Sequence, residues 1–477
     1  MAEADTGAGA EGPLPLAFDV AARRELVAWS VLGISALAIA GAFALLLAMS
    51  RVPGIATVLP WPINFFGKGL VIHVVFSFVV WFLAAFATLA AAVMAGPVAA
   101  SAAAGPRQGA RLMLVPPLMA GVGLPLLFIP ALRDQGDATL NNYIPVIIDP
   151  LYYAGLLLVA GAIAAPALRL VLSLRRKASR TNPTAVAMAL AALAYLAALA
   201  AFAIAWSGLA GTSSDYAFNE YLMWGGGHLL QFANTILVVV AWAVLARLAA
   251  GDDPVIGFFS AAVSAVLAAI SVLGLLIYAV YPPFSGPQME AFTWLQYALG
   301  PAALVMIGAL ALRMGSRRGG SHPALQCLWL SVLVFTVGGF LGLFVDGTDT
   351  RTPAHYHGVI AGVSLALMGA FFFLVLPMLD RPVPSSRRCN WTFRLFGWGQ
   401  LTACIGLFVA GGHGAPRKVA GEAQGLADMA AYAGMAVNGI GALIAIVGGV
   451  LFVWTVAAAL VRASDAEKDS VRPRPAL

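Results

Sequence analysis

Charge is scarce in this chain. Only 10% of its 477 residues are Asp, Glu, Lys or Arg, against about 25% in a typical soluble domain, which excludes a soluble globule. Cysteine is nearly missing as well: Cys327, Cys389 and Cys404 form neither a CxxC nor a CxxCH spacing. That excludes a zinc knuckle, a dithiol redox pair and a covalently attached c-type haem as sequence-based expectations. Nor is there a short apolar core beside the N-terminus, as a cleaved signal peptide would have. The first apolar run starts only after a mixed-charge stretch that includes Asp19, Arg23, Arg24 and Glu25. Polar stretches long enough for a separate soluble domain are also lacking.

What is there is apolar. Hydrophobic residues make up 61% of the chain, and its mean hydropathy is +0.89. A run of about 20 apolar residues spans a bilayer core as a helix. Such runs predict twelve spans, at 26–49, 69–95, 112–132, 150–172, 184–209, 221–247, 255–281, 291–312, 324–345, 354–378, 392–411 and 430–461. Gly105-Pro106-Arg107, Arg175-Arg176-Lys177, Gly251-Asp252-Asp253-Pro254, Arg317-Arg318-Gly319-Gly320 and Arg387-Arg388 punctuate them. The expectation is an all-α polytopic membrane bundle of about twelve helices. It consists of a segment 1–25, one membrane domain 26–461 and a tail 462–477. Lys and Arg concentrate in the loops after even-numbered spans, whereas the opposite loops hold only Arg51, Lys68, Arg133, Arg351, Arg417 and Lys418. The positive-inside rule then puts both termini in the cytoplasm of a bacterial inner membrane. The net charge of +6 is accounted for by those loops, so no nucleic acid is expected as a partner.

The six histidines carry the chemistry. His73 opens the second span, His228 the sixth, and His355 and His357 the tenth, all from the outer face, while His413 closes the eleventh there. His322 alone sits at the cytoplasmic end and, like His413, reads as an interfacial residue. Imidazoles inside a bilayer are costly and mark function. In His355-Tyr356-His357 the two rings point about 200° apart on a helix, so each can serve a different metal on opposite flanks of one span. His357, paired with an imidazole from another span, suits a six-coordinate haem. His355 suits a second haem whose far face stays open to a gas. Arg417 and Lys418 can pair with anionic propionates. Asp215, Glu220, Asp346 and Asp349 read as a solvated rim on the same side.

These features together resemble subunit I of the haem-copper oxidase superfamily, nearest the cbb-type oxidase and nitric oxide reductase branches. The resemblance implies His73 and His357 as ligands of a low-spin haem and His355 as ligand of a high-spin haem. Trp224-Gly225-Gly226-Gly227-His228 matches the motif that supplies one ligand of the active-site copper, so His228 is a candidate metal ligand with a catalytic role beside His355. Gly414-Ala415-Pro416-Arg417-Lys418 matches the segment that holds the propionates. The seventh span departs from the family. Where two adjacent histidines belong, the chain reads Leu276-Ile277-Tyr278-Ala279-Val280-Tyr281-Pro282-Pro283, leaving Tyr278 and Tyr281 in their region. One imidazole does not make a copper site, so the departure tells against copper. Two haems, of b type, are the cofactors expected. The inner halves of the spans hold almost no ionisable residue, which tells against proton pumping from the cytoplasm.

The function expected first is an oxidase-like catalytic subunit, a respiratory oxidoreductase that passes electrons from a c-type cytochrome or cupredoxin through the low-spin haem to oxygen at the high-spin haem. Reduction of nitric oxide, or electron transfer or gas sensing by a copper-less dihaem protein, are the alternatives. A transporter ranks below them, since transport needs no H-x-H and the two halves show no repeat.

Overall fold

The computed structural model describes residues 20–52, 65–95, 112–315, 322–345 and 347–462. Twelve helices in it are long and apolar enough to cross a membrane. They are α1 (Val20–Ser50), α2 (Phe66–Ala95), α3 (Leu112–Leu132), α4 (Pro150–Ser173), α5 (Pro183–Leu209), α6 (Tyr216–Ala250), α7 (Pro254–Val280), α8 (Gly286–Met314), α9 (Pro323–Phe344), α10 (Arg351–Met378), α11 (Ser386–Gly412) and α12 (Met429–Val461). Each matches one of the expected apolar runs, although α7 and α9 stop one residue short of the expected ends at 281 and 345, and the fold is the all-α bundle read from hydropathy.

Most helices outrun their apolar windows because caps, not hydropathy, set where they begin. The side chains of Asp149, Asn182, Asp215, Asp253, Ser285, Ser385 and Asp428 accept first-turn amides of α4, α5, α6, α7, α8, α11 and α12. These are donors that a helix start leaves without an internal partner. At the N-terminus α1 already begins at Val20, so Arg23, Arg24 and Glu25 belong to the first helix rather than to a preceding segment. Residues 1–19, and the tail from 463 onward, lie outside the described residues.

Burial sorts the helices. In the most apolar stretch of α6, 94% of residues are buried, and 78% in α2 and α10, against 22–39% in α1, α3, α4, α7, α8 and α12. The inner helices are therefore the three that bear the four expected ligands. All four imidazoles lie near the starts of these even-numbered helices, at one end of the bundle, called here the histidine face. Between α3 and α4 this face carries a feature that hydropathy does not predict. Strand β1 (Ala138–Thr139) pairs antiparallel with β2 (Val146–Ile147), with Ala138 opposite Ile147, and the connection between them reaches the inner helices. At the opposite end, Arg23 bonds Asp380 at 2.8 Å, Arg313 bonds Asp253 at 2.8 Å, and Arg169 pairs with Glu25.

Candidate functional site

Hydrogen bonds fix the tautomers of the buried imidazoles. His73 Nδ1 lies 3.0 Å from the Ala40 carbonyl of α1, and His355 Nδ1 lies 2.8 Å from the Gly338 carbonyl of α9. A carbonyl can only accept, so Nδ1 carries the proton in both rings and Nε2 keeps its lone pair. This is how metal-binding imidazoles are held, with one nitrogen anchored and the other presented. Room for His355 comes from α9. A Cβ on Gly342 would meet His355 Nδ1 at 2.7 Å and Cε1 at 2.8 Å, and one on Gly338 would meet the Val359 amide at 2.4 Å.

His357 takes the other flank of α10. It stacks on Tyr356, with ring centroids 5.2 Å apart and planes at 28°, and lies within electrostatic reach of His73 and Arg51. His73 and His357 are both enclosed by the bundle yet keep part of their surface free. Neither ring is therefore sealed in close-packed core. Just past His73 the helix turns π-helical over Val75–Val80, a distortion common at functional sites.

Cations border the site on the histidine face. Arg417 Nη2 donates to Asn142 Oδ1 at 3.2 Å, and Lys418 Nζ bonds the Leu140 carbonyl. Burial, reinforced by the neighbouring Arg417, lowers Lys418 to about 8. Sequence reasoning did not single out Arg51. Its guanidinium stands 5.8 Å from the centre of the Phe66 ring, within electrostatic reach of Tyr356, His73 and His357, and burial holds it below its ordinary range. The available signal was its isolation as a cation at the end of the first span, on the side poor in Lys and Arg.

His228 is built differently. It is 1% exposed, with Nδ1 2.6 Å from the Trp224 carbonyl and Nε2 2.9 Å from Tyr143 Oη. Rings of Tyr143, Trp224 and Phe292 surround it at centroid distances of 4.4, 4.8 and 5.9 Å. The three glycines before it are seats for neighbours. A Cβ on Gly225 would strike Tyr278 Oη at 2.2 Å, one on Gly226 would strike Phe202 at 2.4 Å, and one on Gly227 would strike Tyr143 at 2.6 Å. Tyr278 is thus brought beside α6, whereas Tyr281, at the end of α7, is exposed at 36%. No group of three or more His, Cys, Asp or Glu side chains able to hold a metal occurs among the described residues, so the residues around His228 do not fit a copper ion.

The acidic rim is only partly solvated: Asp215 is exposed, whereas Glu220 and Asp349 are drawn into contacts. Asp349 is 7% exposed and binds the Arg351 guanidinium at 2.6 and 2.9 Å. Glu220 accepts from Asn142 N at 2.9 Å and Asn142 Nδ2 at 2.8 Å, and Asp215 caps α6. Asp346 lies outside the described residues. Two histidines play surface parts: His413 Nδ1 pairs with Asp428, the cap of α12, at 2.9 Å, and His322 Nδ1 accepts the Ala324 amide of α9 at 3.2 Å.

Residues 25–462 match the family model for cytochrome C and quinol oxidase polypeptide I. An uncharacterized protein of Rickettsia prowazekii (strain Madrid E) is 24% identical over 493 residues, covering 90% of this chain and 94% of its own. An uncharacterized protein of Aquifex aeolicus (strain VF5) is 27% identical over 351 residues, covering 72% and 83%. Among solved structures, the cryo-EM structure of a heme-copper terminal oxidase dimer is similar over 96% of this chain and 88% of its own, with a TM-score of 0.75 at 14% identity. That likeness is one of fold.

Proposed function

The chain belongs to the family of cytochrome c and quinol oxidase polypeptide I, and from that premise we propose that it is the haem-bearing subunit of a membrane oxidoreductase that reduces a small gas. The observation that carries the reading is the set of imidazoles on the inner helices. His73 and His355 each have one nitrogen anchored to a carbonyl, and His357 stands on the opposite flank of α10 within reach of His73. That donor set fits two haems.

His73 and His357 would hold a low-spin b-type haem from two sides. His355 would hold the second from one side only, leaving its other face for the gas. Bound there, the haems supply one-electron carriage and an open iron coordination position. Arg51, Arg417 and Lys418 supply the cationic groups that carboxylates of such a cofactor require. The histidine face is read as periplasmic from the loop charges, and a separate c-type cytochrome or cupredoxin brings the electrons. Oxygen is the first choice of substrate. The lack of further copper donors around His228 among the described residues favours a second reading, reduction of nitric oxide or electron transfer without a second metal.

Reduced-minus-oxidised and carbon-monoxide difference spectra of the purified holoprotein, followed by consumption of oxygen or nitric oxide with a reduced donor, test this reading. Two haems per chain, one of them sensitive to carbon monoxide, are expected, and a chain that purifies without haem would sink the proposal. A subtler variant probes the His355 seat. Gly342→Ala puts a methyl group within 2.8 Å of the imidazole, pushing the ring off its Gly338 carbonyl. Loss of such a supporting contact costs about tenfold or more in metal-site affinity. The carbon-monoxide signal should fall accordingly, while Gly339→Ala, which meets nothing within 4 Å, should leave it unchanged.

A further inference from the structure

The surroundings of His228 decide what, if anything, that imidazole can bind. Its Nδ1 faces the Trp224 carbonyl at 2.6 Å, an acceptor only, so the proton sits on Nδ1 and the lone pair on Nε2. A metal would have to bind at Nε2. That position is taken: Tyr143 Oη lies 2.9 Å away, and a phenol facing a lone pair donates its proton to it. Taking the haem reading above for the His355 centre, we infer that His228 carries no metal, and that the Tyr143 phenol occupies the nitrogen a second metal would need.

Tyr143 is held there from several sides. Its backbone is left-handed, with φ of 64°, a strained conformation for a residue with a bulky side chain. The surrounding loop fixes it. Thr139 Oγ1 bonds Asn141 Oδ1, Asn141 Nδ2 bonds the Ile144 carbonyl, Tyr152 Oη bonds the Pro145 carbonyl, and Glu220 clamps Asn142 through both carboxylate oxygens. On the α6 side, Gly227 leaves the space that the Tyr143 Cβ fills. A phenol that merely rested against the helix would need none of these restraints.

Other donors are engaged elsewhere or unsuitable. Both Glu220 oxygens are committed to Asn142, and the Gln296 amide donates to the His228 carbonyl at 2.7 Å, leaving the ring alone. Tyr278 packs its hydroxyl against Gly225, and Phe292 closes the remaining side. Copper bound through nitrogen needs several imidazoles, and none besides His228 occurs in this aromatic box. The unit is therefore a neutral hydrogen-bonded tyrosine–histidine pair that joins the loop between α3 and α4 to the innermost helix.

The test is a metal count on the purified full-length holoprotein, as isolated and after incubation with cuprous or ferrous ion and removal of the excess. Copper and iron are read by elemental analysis, and haem separately by its pyridine complex. Copper and non-haem iron should each stay below one-tenth per chain in the parent and in Tyr143→Phe alike. Copper that persists in His228→Ala belongs elsewhere and agrees with the proposal. About one copper, or one iron beyond the haems, that disappears in His228→Ala or His228→Gln overturns it. Because haem is measured independently, its absence would overturn the preceding reading while the metal count still decides this one.

Discussion

His357→Ala should remove one of two haems while leaving the twelve-helix bundle standing. The imidazole contributes little to packing: its ring stacks on Tyr356, makes no hydrogen bond among the described residues and is only partly buried. The α10 backbone around it is anchored elsewhere. Thr350 N and Oγ1 bond the Ala415 and Leu407 carbonyls at 3.0 and 2.7 Å, and the Asp349–Arg351 pair sits beside them. Helix content and elution in detergent should therefore match the parent. Haem measured per chain should drop from about two to about one, since a low-spin haem needs an axial imidazole from each side. His73→Ala should do the same, because neither ligand suffices without the other. His355→Ala should instead spare that haem and lose the carbon-monoxide response. Retention of both haem spectra in His357→Ala would remove the central element of the proposed function.

Legibility in the sequence tracked physical scale. Twelve spans could be read because a bilayer demands about 20 apolar residues for each crossing, a signal spread over a whole helix. The opposed flanks of His355 and His357 could be read because they depend only on the helical repeat: in the structure one ring meets α9 and the other lies within reach of α2. What remained hidden depended on long-range contacts between short segments. Tyr143 meets His228 across 85 positions, and Arg417 meets Asn142 across 275. The hairpin that delivers Asn142 and Tyr143 has strands of two residues each, too short for a period-two pattern to emerge. The run Gly225-Gly226-Gly227 was visible but ambiguous, since its meaning lies in three neighbours drawn from two other helices and a loop. The acidic rim misled for a related reason: charge at a span end looks solvated until its partner is known, and the partners of Glu220 and Asp349 are a loop amide and a fixed guanidinium.

Arg169→Ala should destabilise the bundle more than Glu25→Ala, although the two variants break the same ion pair. Arg169 on α4 reaches Glu25 on α1 through both terminal nitrogens, one at 3.2 Å and the other closer. The carboxylate is the buried member, with 4% of its side chain exposed against 31% for the arginine. Removing one partner of a buried pair costs about 3–5 kcal/mol, because the survivor is left as an uncompensated charge. Glu25 is the more buried of the two, so Arg169→Ala should incur a cost toward that range. In the reverse variant Arg169 can swing its long stem toward the aqueous boundary, as such side chains do near helix ends, and the loss should be smaller. The double variant Glu25→Ala/Arg169→Ala leaves no stranded charge and should recover most of the deficit of Arg169→Ala. Thermal unfolding in a single detergent, compared across parent, both single variants and the double, reads this directly. Equal loss in the two single variants would mean that Glu25 reaches water as readily as Arg169. No loss in either would mean that the pair adds nothing measurable to the stability of the bundle.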